Sequence, residues 1–373
     1  MILQSNPKAG YITRQNAIDT AIRRVLDSGW YILGQEVAAF EAEFAAAMGA
    51  SWSVGVANGT DAIELALRAL DIKAGDRVIT VSHTAVATVA AIARIGALPL
   101  FVDIDPNRYT LDPVSLDALL ATSEGQQARA LVVVHLYGQM ADMPRILSST
   151  RRAGLVVVED CAQAHGATLQ GCGAGCWGDL GCFSFYPTKN LAALGDGGAV
   201  LGNDPTLRER IRLLREYGWK DRYVSAQSGF NSRLDELQAA ILRARLPYLR
   251  DDNNRRRAIA ALYDGALKSG RLTLPCRAAQ AEHVFHQYVV ADPDREILRA
   301  DLKRQGIATL IHYPLAVHQQ PAYNDPVLRP VSLRHTENLV GRILSLPMYP
   351  QIRDDEVDRV IEAICSTLAI FIR

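Results

Sequence analysis

Residues 155–203 read LVVVEDCAQAHGATLQGCGAGCWGDLGCFSFYPTKNLAALGDGGAVLGN. Leu155 to Val158 is a continuous apolar, β-branched run that ends in two carboxylates, Glu159 and Asp160. Runs of this kind read as buried parallel strands, and α/β sheets carry their chemistry at the carboxyl ends of such strands. A second run, Gly181 to Tyr186, ends in Pro187-Thr188-Lys189-Asn190. A lysine just past a strand, in a glycine-rich and largely uncharged segment, can be desolvated into an amine nucleophile. An acid at one strand end and a lysine at the next is the pairing that a pyridoxal phosphate (PLP) site needs. The lysine forms a Schiff base and the carboxylate keeps the pyridine nitrogen protonated.

Three stretches extend this reading: VVEDCAQAHGA at 157–167, GDLGCFSFYPTKNLAALGDGGAV at 178–200 and GFNSRLDELQAAIL at 229–242. Together they closely resemble the DegT/DnrJ/StrS family of nucleotide-sugar aminotransferases, from about Tyr31 to the C-terminus. The resemblance implies an α/β protein of the aspartate aminotransferase fold (PLP fold type I). It would have a large PLP-binding domain with a mostly parallel sheet and a small C-terminal α+β domain. It also implies roles. Lys189 would hold the cofactor and move the proton during transfer, and Asp160 would pair with the pyridine nitrogen. Gln163 would contact the ring hydroxyl, and Gly59, Thr60 and Ser184 would bind the phosphate. Asn231, in the GxNxR position, would reach the phosphate of the neighbouring subunit, making a homodimer with shared sites obligatory. Relatives with histidine in place of Lys189 are sugar dehydratases, so lysine here favours transamination.

The family usually carries an aromatic residue where this chain has Ala85, stacked on the cofactor ring. His83, at the end of the strand before it, is a candidate for that contact, with a capping role as the alternative. For the substrate, Lys220, Arg222 and Tyr223 lie in a loop beside the expected entrance, and a diphosphate needs at least one cation. His312, Tyr313 and His318 resemble the family's HYP…H stretch on the sugar-nucleotide side; satisfied structural histidines are the alternative for His312 and His318.

Composition is compatible with this picture. The 373 residues are 49% hydrophobic and 21% charged, enough for a large domain and a smaller one. Lys+Arg and Asp+Glu both number 40, which argues against a global nucleic-acid footprint. The segment MILQSNPKAGYITRQ lacks a signal-peptide core and no stretch suits a membrane span, so a cytoplasmic protein is expected. Cys161, Cys172, Cys176 and Cys182 lie close together but form no CxxC pair. They read as buried thiols rather than zinc ligands, and no metal is expected.

Along the chain, helices are expected at 13–28 and 36–48, then a strand at 53–57 followed by Asn58-Gly59-Thr60-Asp61 and a helix to Leu70, with Thr60 as its cap. Strands at 77–81, 99–103 and 130–136 alternate with helices at 85–95, 116–122 and 143–152, a βαβ rhythm that implies a parallel sheet. Helices at 205–217 and 233–246 follow, the second ended by Pro247. The domain boundary is placed there, giving units 1–247 and 248–373. The second unit should hold a helix at 251–268, strands at 284–290 and 309–313, and helices at 295–305 and 354–370.

The expected activity is transfer of an amino group from L-glutamate to C3 of a dTDP-linked 3-keto-6-deoxyhexose. SHTAVATVAAI, VVVHLYGQMADMP, REYGWKDRYVS and TLIHYPLAVHQQPAY look most like the branch making 3-amino-deoxysugars. The alternatives are a 4-keto sugar aminotransferase, a PLP sugar dehydratase, or a non-catalytic PLP-binding regulator.

Overall fold

The computed structural model describes residues 1–268 and 270–370. Seven strands form the central sheet: β1 (Trp52–Val56), β2 (Arg77–Val81), β3 (Leu98–Val102), β4 (Ala128–Val134), β5 (Val156–Asp160), β6 (Leu180–Ser184) and β7 (Gly198–Gly202). Their spatial order is β1-β7-β6-β5-β4-β2-β3. β7 runs antiparallel to both β1 and β6, and all other pairs are parallel. The sheet is therefore mostly parallel, as the near-continuous apolar runs demand, since both faces are covered.

Helices supply the cover. On one face lies α1 (Gln35–Met48). Its Phe44 ring meets those of Phe183 and Phe185 edge-on, with centroids 5.1 and 5.3 Å apart. The other face carries α2 (Gly59–Ala69) and α3 (Val86–Arg94), which pack Leu65, Ala66, Ala91 and Ile92 against Val54, Val78, Val132 and Val158. These two faces place the carboxyl ends of β4, β5 and β6 side by side, in register from Val134 opposite Asp160 to Asp160 opposite Cys182.

Further along, α4 (Glu236–Arg245) and α5 (Leu249–Leu267) are separated by a single 3-10 turn, Leu246–Tyr248, that contains Pro247. Leu249 still packs in the main core, whereas Ile259 onward belongs to a second core. That second core also includes Ile2, which pairs with Ile307, so the extreme N-terminus packs with C-terminal residues. Around it stand β8 (Tyr288–Ala291), β9 (Ile343–Leu346) and the helices Arg295–Arg304 and Asp354–Ile370.

Several local expectations need correction. The cap of α2 is Asn58, whose side chain accepts from the Asp61 amide at 2.8 Å, not Thr60. The 205–217 helix stops at Leu214, and the loop after it contains a two-stranded hairpin, Trp219–Asp221 with Val224–Ser225. The 233–246 helix starts only at Glu236, whose carboxylate accepts from the amides of Gly34, Glu36 and Val37 and caps α1. The strand expected at 284–290 begins at Tyr288, because Val284 bonds to Gly138 and Asn190 rather than to a strand. No strand forms at 309–313; Leu310 makes one bridge, to Ser345.

Phe44 packs on Phe183 and Phe185, on and just past the strand that leads to Lys189, so Phe44→Ala should be costly. We expect a loss of about 3–5 kcal/mol in denaturant unfolding, the range for emptying a buried aromatic site. A loss below about 1 kcal/mol would show that this aromatic cluster carries little of the fold.

Candidate active site

The site forms where three strand ends meet a helix start. β5 delivers Asp160 and β6 delivers Ser184, after which a turn closed by the Lys189 amide on the Tyr186 carbonyl, at 2.8 Å, presents Lys189. α2 starts directly opposite. A Cβ added at Gly59 would lie 2.7 Å from Ser184 Cβ, so only glycine lets this helix start approach the strand so closely.

These elements enclose a cavity of about 240 Å³ lined by Gly59, Thr60, Asp160, Gln163, Ser184 and Lys189. Six residues singled out in the sequence are thus brought to one place. Burial pulls the Lys189 amine down to about 8, against the opposing pull of the Asp160 charge. Asp160 accepts from the Ala162 amide at 3.1 Å and from the Thr88 hydroxyl at 2.7 Å. The Gln163 amide is fixed in orientation: its oxygen accepts from the Tyr137 amide at 2.7 Å and its nitrogen donates to the Tyr313 hydroxyl at 3.1 Å.

The remaining expected residues lie elsewhere. His83 is buried, does not line the cavity, and its Nε2 meets the Tyr137 hydroxyl at 2.9 Å. Burial brings its pKa down to about 4, so it is a neutral packed imidazole. His318 does not line the cavity either. Its buried ring contacts Ser82 Oγ at 2.7 Å and Glu337 at 3.1 Å, clamping its segment to the end of β2. His312 contacts Ser345 Oγ at 2.8 Å and is held neutral, with a pKa near 4, by burial and then by the Lys189 charge. Tyr313 touches the site through Gln163, and burial raises its hydroxyl to about 12. Lys220, Arg222 and Tyr223 project on the exposed hairpin, and Asn231 is exposed beside it; none lines this chain's own cavity.

Residues that sequence reasoning missed also line the cavity: Thr84, His135, Tyr186 and Asp196. His135 stands just past the end of β4, and the strand-end rule alone pointed there. Its Nδ1 accepts from the Ala141 amide at 3.2 Å, which leaves Nε2–H to donate to Glu159 at 2.8 Å. Glu159 also accepts from the amides of Gly175, Trp177 and Gly178. His135, Glu159 and Cys161 are the one metal-like grouping among the described residues, and these hydrogen bonds already occupy it. Cys161 and Cys182 are buried thiols held well above the usual range by that burial.

The donor set suits PLP. An amine of lowered pKa, a carboxylate, a side-chain amide and a helix start with N–H groups lacking intrahelical acceptors answer its aldehyde, ring nitrogen, ring hydroxyl and phosphate. This fold and site define a PLP-dependent aminotransferase. Residues 13–365 match the DegT/DnrJ/EryC1/StrS aminotransferase family, and the chain belongs to it. It is 47% identical over 350 residues to the dTDP-3-amino-3,6-dideoxy-alpha-D-galactopyranose transaminase of Aneurinibacillus thermoaerophilus, covering 94% of this chain and 95% of that one. The UDP-N-acetyl-3-dehydro-alpha-D-glucosamine 3-aminotransferase of Acidithiobacillus ferrooxidans is 42% identical over 363 residues, with 97% and 96% covered. The crystal structure of S. venezuelae DesV in complex with a ketimine intermediate superposes with a TM-score of 0.93 at 44% identity, covering 98% and 97% of the two chains.

A lysine with a pKa near 8 has a specific kinetic signature. Only its neutral form attacks an aldehyde, so the rate at which cofactor-free protein takes up PLP should rise with pH and level off just above 8. Stopped-flow absorbance checks this. A rate still climbing tenfold per pH unit at pH 9.5 would mean that the amine is not desolvated.

Proposed function

We propose that the enzyme transfers the amino group of L-glutamate to C3 of a dTDP-linked 3-keto-6-deoxyhexose, giving a 3-amino-deoxysugar nucleotide. The observation that carries this reading is agreement among relatives that differ in nucleotide. The dTDP and the UDP enzymes above are both named for a 3-amino or 3-dehydro sugar. Position 3 is thus the shared feature, and the somewhat higher identity to the dTDP enzyme selects the nucleotide. Small side chains support a deoxysugar: Ala85 lines the cavity where a large ring would narrow it.

PLP, when bound, supplies the electron sink for negative charge at the carbon that bears the amine. The chain supplies the rest. Lys189 holds the cofactor and, as a neutral amine, takes and returns the proton at that carbon. Asp160 keeps the ring nitrogen protonated. Gln163 can offer its remaining N–H to the ring hydroxyl, because its oxygen is already committed to Tyr137. The start of α2, with Ser184, neutralises the phosphate. Burial of these groups excludes bulk water, which strengthens each electrostatic contact. Tyr313 reaches this group through Gln163, and its neighbour His312 is held by Ser345.

The functional unit is a homodimer. Asn231 and the 219–225 hairpin, with Lys220, Arg222 and Tyr223, are exposed in their own chain, as donors to a partner's site would be. Trp30 and Tyr31, 63% and 50% exposed, form apolar surface of the kind that subunit interfaces cover. No helix among the described residues is long and apolar enough to cross a membrane. Free thiols and nucleotide-linked substrates fit a cytoplasmic enzyme.

Two experiments check this reading. Purified enzyme given glutamate and dTDP-3-keto-6-deoxyglucose, its galacto epimer or dTDP-4-keto-6-deoxyglucose should aminate a 3-keto sugar, with the amine located at C3 by NMR. Efficient amination of the 4-keto sugar alone, or water loss without transfer, would overturn the C3 assignment. Separately, inactive Lys189→Ala mixed with weakened Asn231→Ala should regain activity on subunit exchange, since one composite site per heterodimer is then intact. Mixed dimers with no gain would show that each site is self-contained.

A further inference from the structure

The carboxylate that faces the cofactor cavity is held by residues on a different element, and those residues form a chain. Thr88 lies in the first turn of α3 and is fully buried; Thr84, just before that helix, is 2% exposed. Thr88 Oγ1 donates to Asp160 Oδ2 at 2.7 Å, and the two threonine hydroxyls are 2.9 Å apart. Each hydroxyl has one proton. Thr88 gives its proton to the carboxylate, so in the pair it must accept, and the direction runs Thr84 to Thr88 to Asp160. Helical threonines ordinarily return their hydroxyl to the carbonyl four residues back. For Thr88 that residue is Thr84, which precedes the helix, and the hydroxyl is directed to the sheet instead. The other carboxylate oxygen accepts from the Ala162 amide at 3.1 Å. Each oxygen thus has one fixed donor, which sets the plane of the carboxylate and leaves acceptor capacity free toward the cavity.

We propose that Thr88, backed by Thr84, is a positioning residue that tunes Asp160 as partner of the cofactor's ring nitrogen. A donor on Oδ2 stabilises negative charge on the carboxylate and makes it a weaker competitor for the ring proton. Consecutive hydroxyls in a buried chain polarise one another in the same sense. The proton therefore stays on the ring, where it makes the electron sink effective. Thr84 also lines the cavity, so the chain starts at its wall and ends on the group that sets the cofactor's electronics. The inference rests on the pairing of Asp160 with the ring nitrogen proposed above.

The test uses holoenzyme loaded with PLP labelled with 15N at the ring nitrogen, in Thr88→Val, Thr88→Ser, Thr84→Val and Asp160→Ala. In Thr88→Val the ring-nitrogen resonance should shift toward the unprotonated position and titrate at lower pH. Turnover should fall about tenfold or more, with KM for the sugar nucleotide unchanged. Thr88→Ser, which keeps the hydroxyl, should restore the resonance and most of the rate, and Thr84→Val should shift the resonance less but in the same direction. A wild-type resonance in Thr88→Val across the pH range, or a Thr88→Ser as impaired as the valine, would overturn the proposal. Should Thr88→Val not fold, Thr84→Val decides, and an unchanged titration there overturns it. If Asp160→Ala itself leaves the resonance in place, the Asp160 pairing is what fails.

Discussion

Desolvation of one amine is the constraint on which the rest depends. Lys189 sits behind the ends of β5 and β6 with Asp160 as the charge opposing the effect of its burial. In bulk water its amine would be overwhelmingly protonated at neutral pH and chemically idle. Burial alone would make a lysine neutral at the expense of stability, and a carboxylate in direct contact would keep it protonated. The observed arrangement lies between these limits. Asp160 is near enough to be felt but is hydrogen-bonded to Thr88 and Ala162 rather than to the lysine. The carboxylate is left available to a ligand, and the amine is left able to react.

That balance needs walls. The cavity's floor is the carboxyl edge of a parallel sheet, and its far end is the start of α2, pressed against Ser184 because Gly59 has no side chain. Residues of the C-terminal half of the chain tie to the elements that carry these walls. His318 holds Ser82 at the end of β2, and Asp103, just past β3, accepts from the amides of His335 and Thr336. Tyr137 donates to the His312 carbonyl while its amide fixes Gln163. The 312–313 segment is thus tied through Tyr137 to Gln163 at the cavity wall. Of the two histidines expected on the substrate side, His318 bridges Ser82 and Glu337, and His312 bonds Ser345.

What could be read from the sequence divides along a physical line. Apolar strands ending in chemistry-bearing residues are local signals, so the sheet and the placement of Asp160 and Lys189 at one edge were legible, while Gln163 and Ser184 were reached through the family resemblance. Gly59 and Thr60 were legible too, through the strand–loop–helix pattern, although the cap proved to be Asn58. Contacts between distant elements were not. Nothing in SHTAVATV says that the third hydroxyl-bearing side chain, Thr88, turns to a carboxylate on β5 while His83 turns to Tyr137. Such directions are set by packing after the helix docks. The strand expected at 284–290 starts late, at Tyr288, and the one expected at 309–313 does not form, for a related reason. Their apolar, β-branched composition is right for strands, but their backbone groups bond to Gly138, Asn190 and Ser345 across the structure.

The central claim is that Lys189 carries the cofactor. Borohydride reduction of the purified holoenzyme, followed by peptide mapping, tests it most directly. The account predicts one phosphopyridoxyl group per chain, on the peptide containing Tyr186 to Asn190 at Lys189, and no label in Lys189→Ala. Stoichiometric label on any other lysine, or equal label in the alanine variant, would contradict it.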